Sequence, residues 1–168
     1  MLVYHPALDP YHTALRLIAI LKRLQGTPVE IDKARIIDFY LLFPSLIRQV
    51  SLPRRLQALR KAIGSRSDSF EYVTSPRQLY LQLRGISDTT YRALAGQDVV
   101  SHANFERGFL TFGDEKLPEA VEGVANSLLA REQGLAATIC DTLGQIPLLG
   151  SSGLKARTGL AEYRYDVA

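Results

Sequence analysis

Apolar residues recur at helical spacing from the start of the chain. Ala14, Leu15, Leu17, Ile18, Leu21 and Leu24 follow the i, i+3, i+4, i+7 template, while Arg16, Lys22, Arg23 and Gln25 fall largely on the other side. Asp9 supplies an N-cap, and Pro10 suits the first helical position, where its missing N–H costs nothing. Gly26 reads as the C′ glycine that closes the helix, with Pro28 just beyond. An extended link over 27–31 precedes a second predicted helix over 32–43, with Asp32 as its N-cap. The later part of that helix (Phe39, Tyr40, Leu41, Leu42, Phe43) is apolar nearly all round, which places it at the centre of the core. Pro44 stops or kinks it, and a further helical turn is predicted over 45–50.

Pro53 opens a third predicted helix over 54–63, closed by Gly64, with Leu56, Leu59, Ala62 and Ile63 as its apolar side. A polar loop over 65–69 and a short strand over 70–74 follow. Ser75 and Pro76 repeat the cap-plus-proline signal for a helix through Arg84, and Ser87 caps another over 88–95 that ends at Gly96. The period then changes. Residues 98–101 and 108–112 are β-prone runs separated by a polar, turn-like 102–107, which predicts a two-stranded hairpin. Helices followed by a hairpin are the order of a winged helix-turn-helix unit. A long helical tract extends from Pro118 to about Ile146, with Val121, Val124, Ala125, Leu128, Leu135, Ile139 and Leu143 near a 3.5-residue spacing. Gly123 and Gly134 leave open whether this is one helix or two with a break near Gly134. The stripe either covers the domain's own core or packs against another chain's helix. Residues 147–153 break the pattern, and 162–167 suggest a terminal strand. The fold class expected is mainly α with a small β-hairpin: a winged-helix-like domain over 1–115 and a C-terminal helical segment over 116–168 on the same core.

Composition adds few constraints. The 168 residues are 46% hydrophobic and 22% charged, as in a globular domain that buries a core without staples. With the single cysteine, Cys140, no intrachain disulfide forms, so an oxidised secreted scaffold is excluded. No segment reads as a secretory leader or offers the run of apolar residues that spans a bilayer, so the expected compartment is the cytoplasm. The net charge of +3 is unevenly spread: residues 1–84 carry 13 Lys/Arg against six Asp/Glu, and 85–168 carry seven against 11.

The parts for most chemistries are missing. Gly150, Ser151, Ser152, Gly153 and Lys155 have the wrong order for a phosphate-binding loop, and no dinucleotide fingerprint or nucleophile elbow is present. His5, His12 and His102 are scattered, and Cys140 sits on an apolar helical face between Ile139 and Leu143, where a small core residue is the simpler reading. Glu30, Asp32 and Asp38 form the one acidic cluster of the basic half, explained by capping and by pairing with Lys33 or Arg35. No catalytic residue, metal site or cofactor is expected. The positive signal is the basic side of the 54–63 helix. Arg54, Arg55, Arg60, Lys61 and Arg66 are the candidate contacts for DNA or for an acidic protein partner, with Arg48, Arg77 and Arg84 around them.

The string Tyr4-His-Pro-Ala-Leu-Asp-Pro-Tyr-His12, the helix through Leu24, and the string from Val29 through Ile36, Ile37, Asp38 and Phe39 to Pro44 resemble the middle component of bacterial ABC-three-component systems. These are anti-phage conflict systems with a coiled-coil ABC ATPase of the chromosome-maintenance or repair type, an effector that is often a nuclease, and a small middle component. The resemblance implies a non-catalytic adaptor, winged-helix in form, that links the ATPase to the effector. It covers residues 4–44 best, and those residues read as a buried helix and its stop, so substitutions there are expected to unfold the protein. The alternative is a stand-alone winged-helix DNA-binding regulator with 87–96 and 98–112 as its reading head. The local charge argues against it: residues 87–112 hold Arg92 and Arg107 against Asp88, Asp98 and Glu106.

Overall fold

In the computed structural model, which describes residues 6–64 and 75–162, a 3-10 turn at Pro6–Leu8 leads into α1, Pro10–Arg23. The Asp9 carboxylate caps α1 by accepting from the Tyr11 amide at 2.7 Å, as its position before Pro10 predicts. The helix ends at the Leu24 cap, and Gly26 takes the left-handed conformation (φ 94°) that turns the chain into β1, Val29–Glu30. Next comes α2, Ile31–Leu42, stopped by a 3-10 turn at Pro44–Gln49. Its N-cap is Glu30, without a side-chain capping bond; Asp32 lies inside the first turn, where a carboxylate still complements the helix dipole. The Ile36, Ile37, Phe39, Tyr40 and Phe43 side chains are all buried, as the apolar run requires.

The predicted 54–63 helix is split. Arg54–Leu56 is a 3-10 turn, and α3 proper is Ala58–Ile63, anchored by Leu56, Leu59 and Ile63 in the largest core cluster. The predicted loop and strand over 65–74 lie outside the described residues. Where two helices are expected, one runs without interruption: α4, Pro76–Gly96, capped by the Ser75 hydroxyl. Ser87 does not start a helix. Its hydroxyl turns back toward the Leu83 carbonyl at 3.5 Å, and Gly85 is tolerated because burial of Tyr80, Leu83, Ser87, Tyr91 and Ala95 along one face outweighs its weak propensity.

The two β-prone runs do meet. Val100 bridges Phe112 in antiparallel fashion, with Ser101 N–H donating to the Thr111 carbonyl at 3.0 Å and Gly113 N–H to Val99 at 2.9 Å. The connection is not a tight turn but a short helix, α5, His102–Glu106, capped by the Ser101 hydroxyl. The regular sheet partner also differs. Strand β2, Phe109–Leu110, pairs antiparallel with β1, Val29 opposite Leu110 and Glu30 opposite Phe109. The run is thereby tied to the link between α1 and α2, and Leu110 is fully buried with Leu17, Leu21, Val29 and Tyr91. Gly113 is required here: a Cβ would stand 2.1 Å from the Asp98 carbonyl oxygen.

The last long helix, α6, Glu119–Gly144, is broken at Arg131–Gly134, where Glu132, Gln133 and Gly134 all have positive φ. The break falls at the glycine that left one helix or two undecided. The apolar stripe covers the domain's own core: Ala125 packs with Ile18 and Ala19 of α1, while Leu135, Ile139, Cys140 and Leu143 join the main cluster with α2 and α3. Beyond the 147–153 breaker, a helix that the pattern did not announce, α7, Leu154–Thr158, inserts Leu154 into the same cluster. Of the suggested terminal strand only Glu162 is described, and it is not in a strand. Around α1 stand α6, α4 and α2, and the mainly helical, minor-sheet composition is that expected.

Candidate functional site

The predicted basic face is partly assembled. With Leu56, Leu59 and Ile63 turned into the core, Arg54, Arg60 and Lys61 are exposed. Arg60 is also structural, its guanidinium donating to the Val50 carbonyl at 2.6 Å, and Arg48 donates to Gly64 at 3.2 Å. Arg55 shares the 3-10 turn with Arg54, and Arg66 lies outside the described residues. Farther along, Arg77 stands 3.5 Å from Glu162 and Arg84 3.8 Å from Asp88, so both face carboxylates. Arg54 and Lys61 make no hydrogen bond or ion pair among the described residues.

A second charged feature is internal. Arg16, expected on the outer side of α1, is buried with Asp38 of α2: Nε to Oδ1 at 2.5 Å and Nη2 to Oδ2 at 3.3 Å, with Thr13 Oγ1 accepting from Nη2 at 3.0 Å. Asp38 therefore pairs with neither Lys33 nor Arg35. Lys33 meets Glu30 at 3.1 Å. Arg35 binds Asp32 at 2.7 Å and also Asp88 of α4, while Lys155 of α7 reaches Asp32 at 3.2 Å. Sequence spacing hides these pairs: in the structure Arg16 lies three residues after Thr13 and four before Ile20, both buried, and so belongs to the inward face of α1.

Electrostatics follow burial. Burial pushes the Asp38 carboxyl above the ordinary carboxylate range, and the Arg16 guanidinium pulls against that shift. For Asp32, burial also raises the pKa, but the hydrogen bonds and charges of Lys155 and Arg35 outweigh it and the net shift is downward. Tyr91 is fully buried beside this seam, and burial, reinforced by Asp38, holds its hydroxyl far above its usual pKa. That hydroxyl has no hydrogen-bond partner among the described residues.

The grooves are shallow. One of about 360 Å³ is walled by Leu24, Pro28, Val29, Lys33, Asp141 and Gln145; another, of about 210 Å³, lies at the bend of α6 beside Leu41 and Pro44. Neither lining contains a histidine or a cysteine. Cys140 is buried, which pushes its thiol up to about 12. Among the described residues, no group of three or more His, Cys, Asp or Glu is placed to hold a metal ion, and no helix is long and apolar enough to cross a membrane.

Fold and surface together define a small helical domain with an internal ionic seam and a basic outer turn. The chain belongs to the ABC-three component (ABC-3C) system Middle Component 5 family, whose sequence model matches residues 2–166. It is thus a component of such a system. Neither a curated protein nor a solved structure matches it.

Proposed function

We propose that the chain is a non-catalytic adaptor in a prokaryotic anti-phage complex, joining a coiled-coil ABC ATPase to an effector in the cytoplasm. The observation that carries this reading is the family match over residues 2–166, since a middle component implies components on either side of it. Charge supports it: Arg54, Arg60 and Lys61 are exposed together on one basic turn, a surface suited to an acidic partner. In this reading Arg54, Arg55, Arg60 and Lys61 face DNA held by the complex, or an acidic surface of a partner.

Co-expression with the adjacent genes tests the adaptor: ATPase and effector are expected to co-purify with this chain and to separate from each other when it is omitted. A chain that stays monomeric beside both partners refutes it. For the basic turn, Arg54→Ser with Lys61→Ser is expected to weaken duplex binding by the complex and to flatten its salt dependence by about one to two units of slope. An unchanged slope removes DNA from the proposal.

The second reading is a stand-alone winged-helix regulator, favoured by the antiparallel pairing of Val100 with Phe112. Its reading head would present Asp88, Asp98 and Glu106 toward phosphate. Sequence-specific duplex binding by the isolated chain would establish it over the adaptor.

A further inference from the structure

Two stretches of the chain carry cations and no carboxylate. Residues 39–67 hold Arg48, Arg54, Arg55, Arg60, Lys61 and Arg66 without an Asp or Glu, and residues 142–161 hold Lys155 and Arg157 without one. The fold joins the two stretches at the connector before α3. The Arg60 guanidinium donates to the Val50 carbonyl at 2.6 Å, and that of Arg157, from α7, donates to the next carbonyl, Ser51, at 2.5 Å. Neighbouring peptide units stand about 3.8 Å apart, so the two guanidinium groups flank one short piece of backbone. Gln57 takes the third carbonyl in the row, Leu52, at 2.9 Å. Arg157 also donates through Nε to the Ser152 carbonyl at 2.5 Å, which fixes its plane from a second side.

A carbonyl is a neutral acceptor: it orients a guanidinium without neutralising it. Among the described residues neither Arg60 nor Arg157 is paired with a carboxylate, in contrast to Lys155, which meets Asp32 at 3.2 Å. Arg60 is exposed, beside Lys61, and Arg157 is half-buried. Side chains already held in place lose little freedom when an anion arrives, and the five N–H donors of each fork leave several for it.

We propose that Arg157 joins Arg54, Arg60 and Lys61 in one phosphate-binding surface, and that its occupant is the sugar–phosphate backbone of a nucleic acid. This rests on the reading of the basic turn as a contact surface and chooses between its two occupants. An acidic protein surface has Lys and Arg of its own among its carboxylates, and those need an Asp or Glu opposite. A phosphodiester backbone presents anions alone, which is what a surface drawn from two carboxylate-free stretches complements. Such contacts carry no sequence information, so the binding is sequence-independent.

Fluorescence anisotropy of a labelled random-sequence duplex with the full chain, followed between about 50 and 200 mM salt, tests this. Four neutralised phosphates set a slope of log K against log salt of about −3.6. Arg157→Gln, which keeps a donor for the Ser51 carbonyl but drops the charge, is expected to flatten the slope by about one unit. Arg157→Lys is expected to retain it, and Arg92→Ser, which removes the same charge from the exposed side of α4, is expected to leave it unchanged. If Arg157→Gln leaves the slope as it was while Arg54→Ser with Lys61→Ser flattens it, the part assigned to α7 is refuted and the basic turn stands. Equal flattening by Arg157→Lys reduces Arg157 to a structural tie, and equal flattening by Arg92→Ser reduces the effect to net charge; either overturns the surface. Binding of poly-glutamate without binding of duplex overturns the phosphate occupant and hands the basic turn to an acidic protein. Binding of neither removes the contact surface itself.

Discussion

Arg16→Met isolates the most consequential interaction in the fold. The guanidinium and the Asp38 carboxylate are each nearly inaccessible, at 6% and 5% exposure, and join through two nitrogen–oxygen contacts of 2.5 and 3.3 Å. Methionine keeps the length and most of the apolar stem but leaves the carboxylate buried without its cation, at a cost of about 3–5 kcal/mol. Domains of this size have roughly 5–15 kcal/mol in total, so the variant is expected to fold but to retain little margin. With a urea m-value of about 2 kcal/mol/M, the midpoint falls by roughly 2 M. Adding Asp38→Leu, which sets two methyls where the carboxylate oxygens stand, is expected to restore most of the loss, since an apolar pair of similar shape avoids both desolvation penalties. Lowering the pH should also shrink the Arg16→Met deficit, because burial already raises the Asp38 pKa and a protonated carboxyl no longer needs the cation. Equilibrium urea unfolding by circular dichroism measures all three. The reasoning fails if Arg16→Met loses less than about 1 kcal/mol, or if the double variant is no more stable than the single one.

Asp32 behaves in the opposite sense. Its folded-state pKa lies below the ordinary 3.8, so its contribution is fully present above that value and is lost as pH falls through the lowered one; Asp32→Asn should flatten the acid limb of the stability–pH curve, and an unchanged limb contradicts the pairing with Lys155 and Arg35. Gly113→Ala places a methyl 2.1 Å from the Asp98 carbonyl oxygen and should cost about 1–3 kcal/mol in thermal or urea unfolding; a variant as stable as the parent would show that the segment yields freely. The Cys140 thiol, buried and pushed up to about 12, should react with Ellman's reagent only at the rate of unfolding, and rapid labelling of the native chain would place it at the surface instead.

How much of this was legible depends on whether a local signal or a distant partner decides the outcome. Asp9 and Pro10 set the start of α1 because capping is settled within three residues, and the apolar run in α2 announced its own burial. Gly134 marked the place of the α6 break because a glycine takes the positive φ found there at little cost, although Glu132 and Gln133 adopt it too. At Gly85 and Ser87 local propensity pointed to a boundary and was overridden, because the inward face from Tyr80 to Ala95 runs straight through. The strand at 109–110 was legible as a strand but not as a partner of β1, since its mate lies some eighty residues earlier and only tertiary packing selects it. Of the candidate site, the basic outer turn could be read from Arg54, Arg60 and Lys61 because three buried apolar neighbours fix which side faces out. The seam could not, because its members are 22 and 53 residues apart along the chain for Arg16–Asp38 and Arg35–Asp88.

The seam also changes the meaning of the α2 string. As sequence, that string is a buried helix and its stop, and any substitution in it should simply unfold the chain. In the structure, Asp32, Arg35 and Asp38 follow one another at steps of three, and each such step drifts by about 60° around a helix with 100° per residue. The three side chains therefore fan over about 120° instead of stacking in one row. Each reaches a different neighbour: Asp32 meets Lys155 of α7, Arg35 meets Asp88 of α4, and Asp38 meets Arg16 of α1. Apolar burial by Phe39 and Phe43 is non-directional and tolerates a shifted neighbour, whereas a two-point guanidinium–carboxylate contact does not. Substitutions at Phe39 or Phe43 are thus losses of core, while those at Asp32, Arg35 or Asp38 release the position of one helix at a time around α2. The ionic fan is the part of the string that sets how α7, α4 and α1 stand around α2.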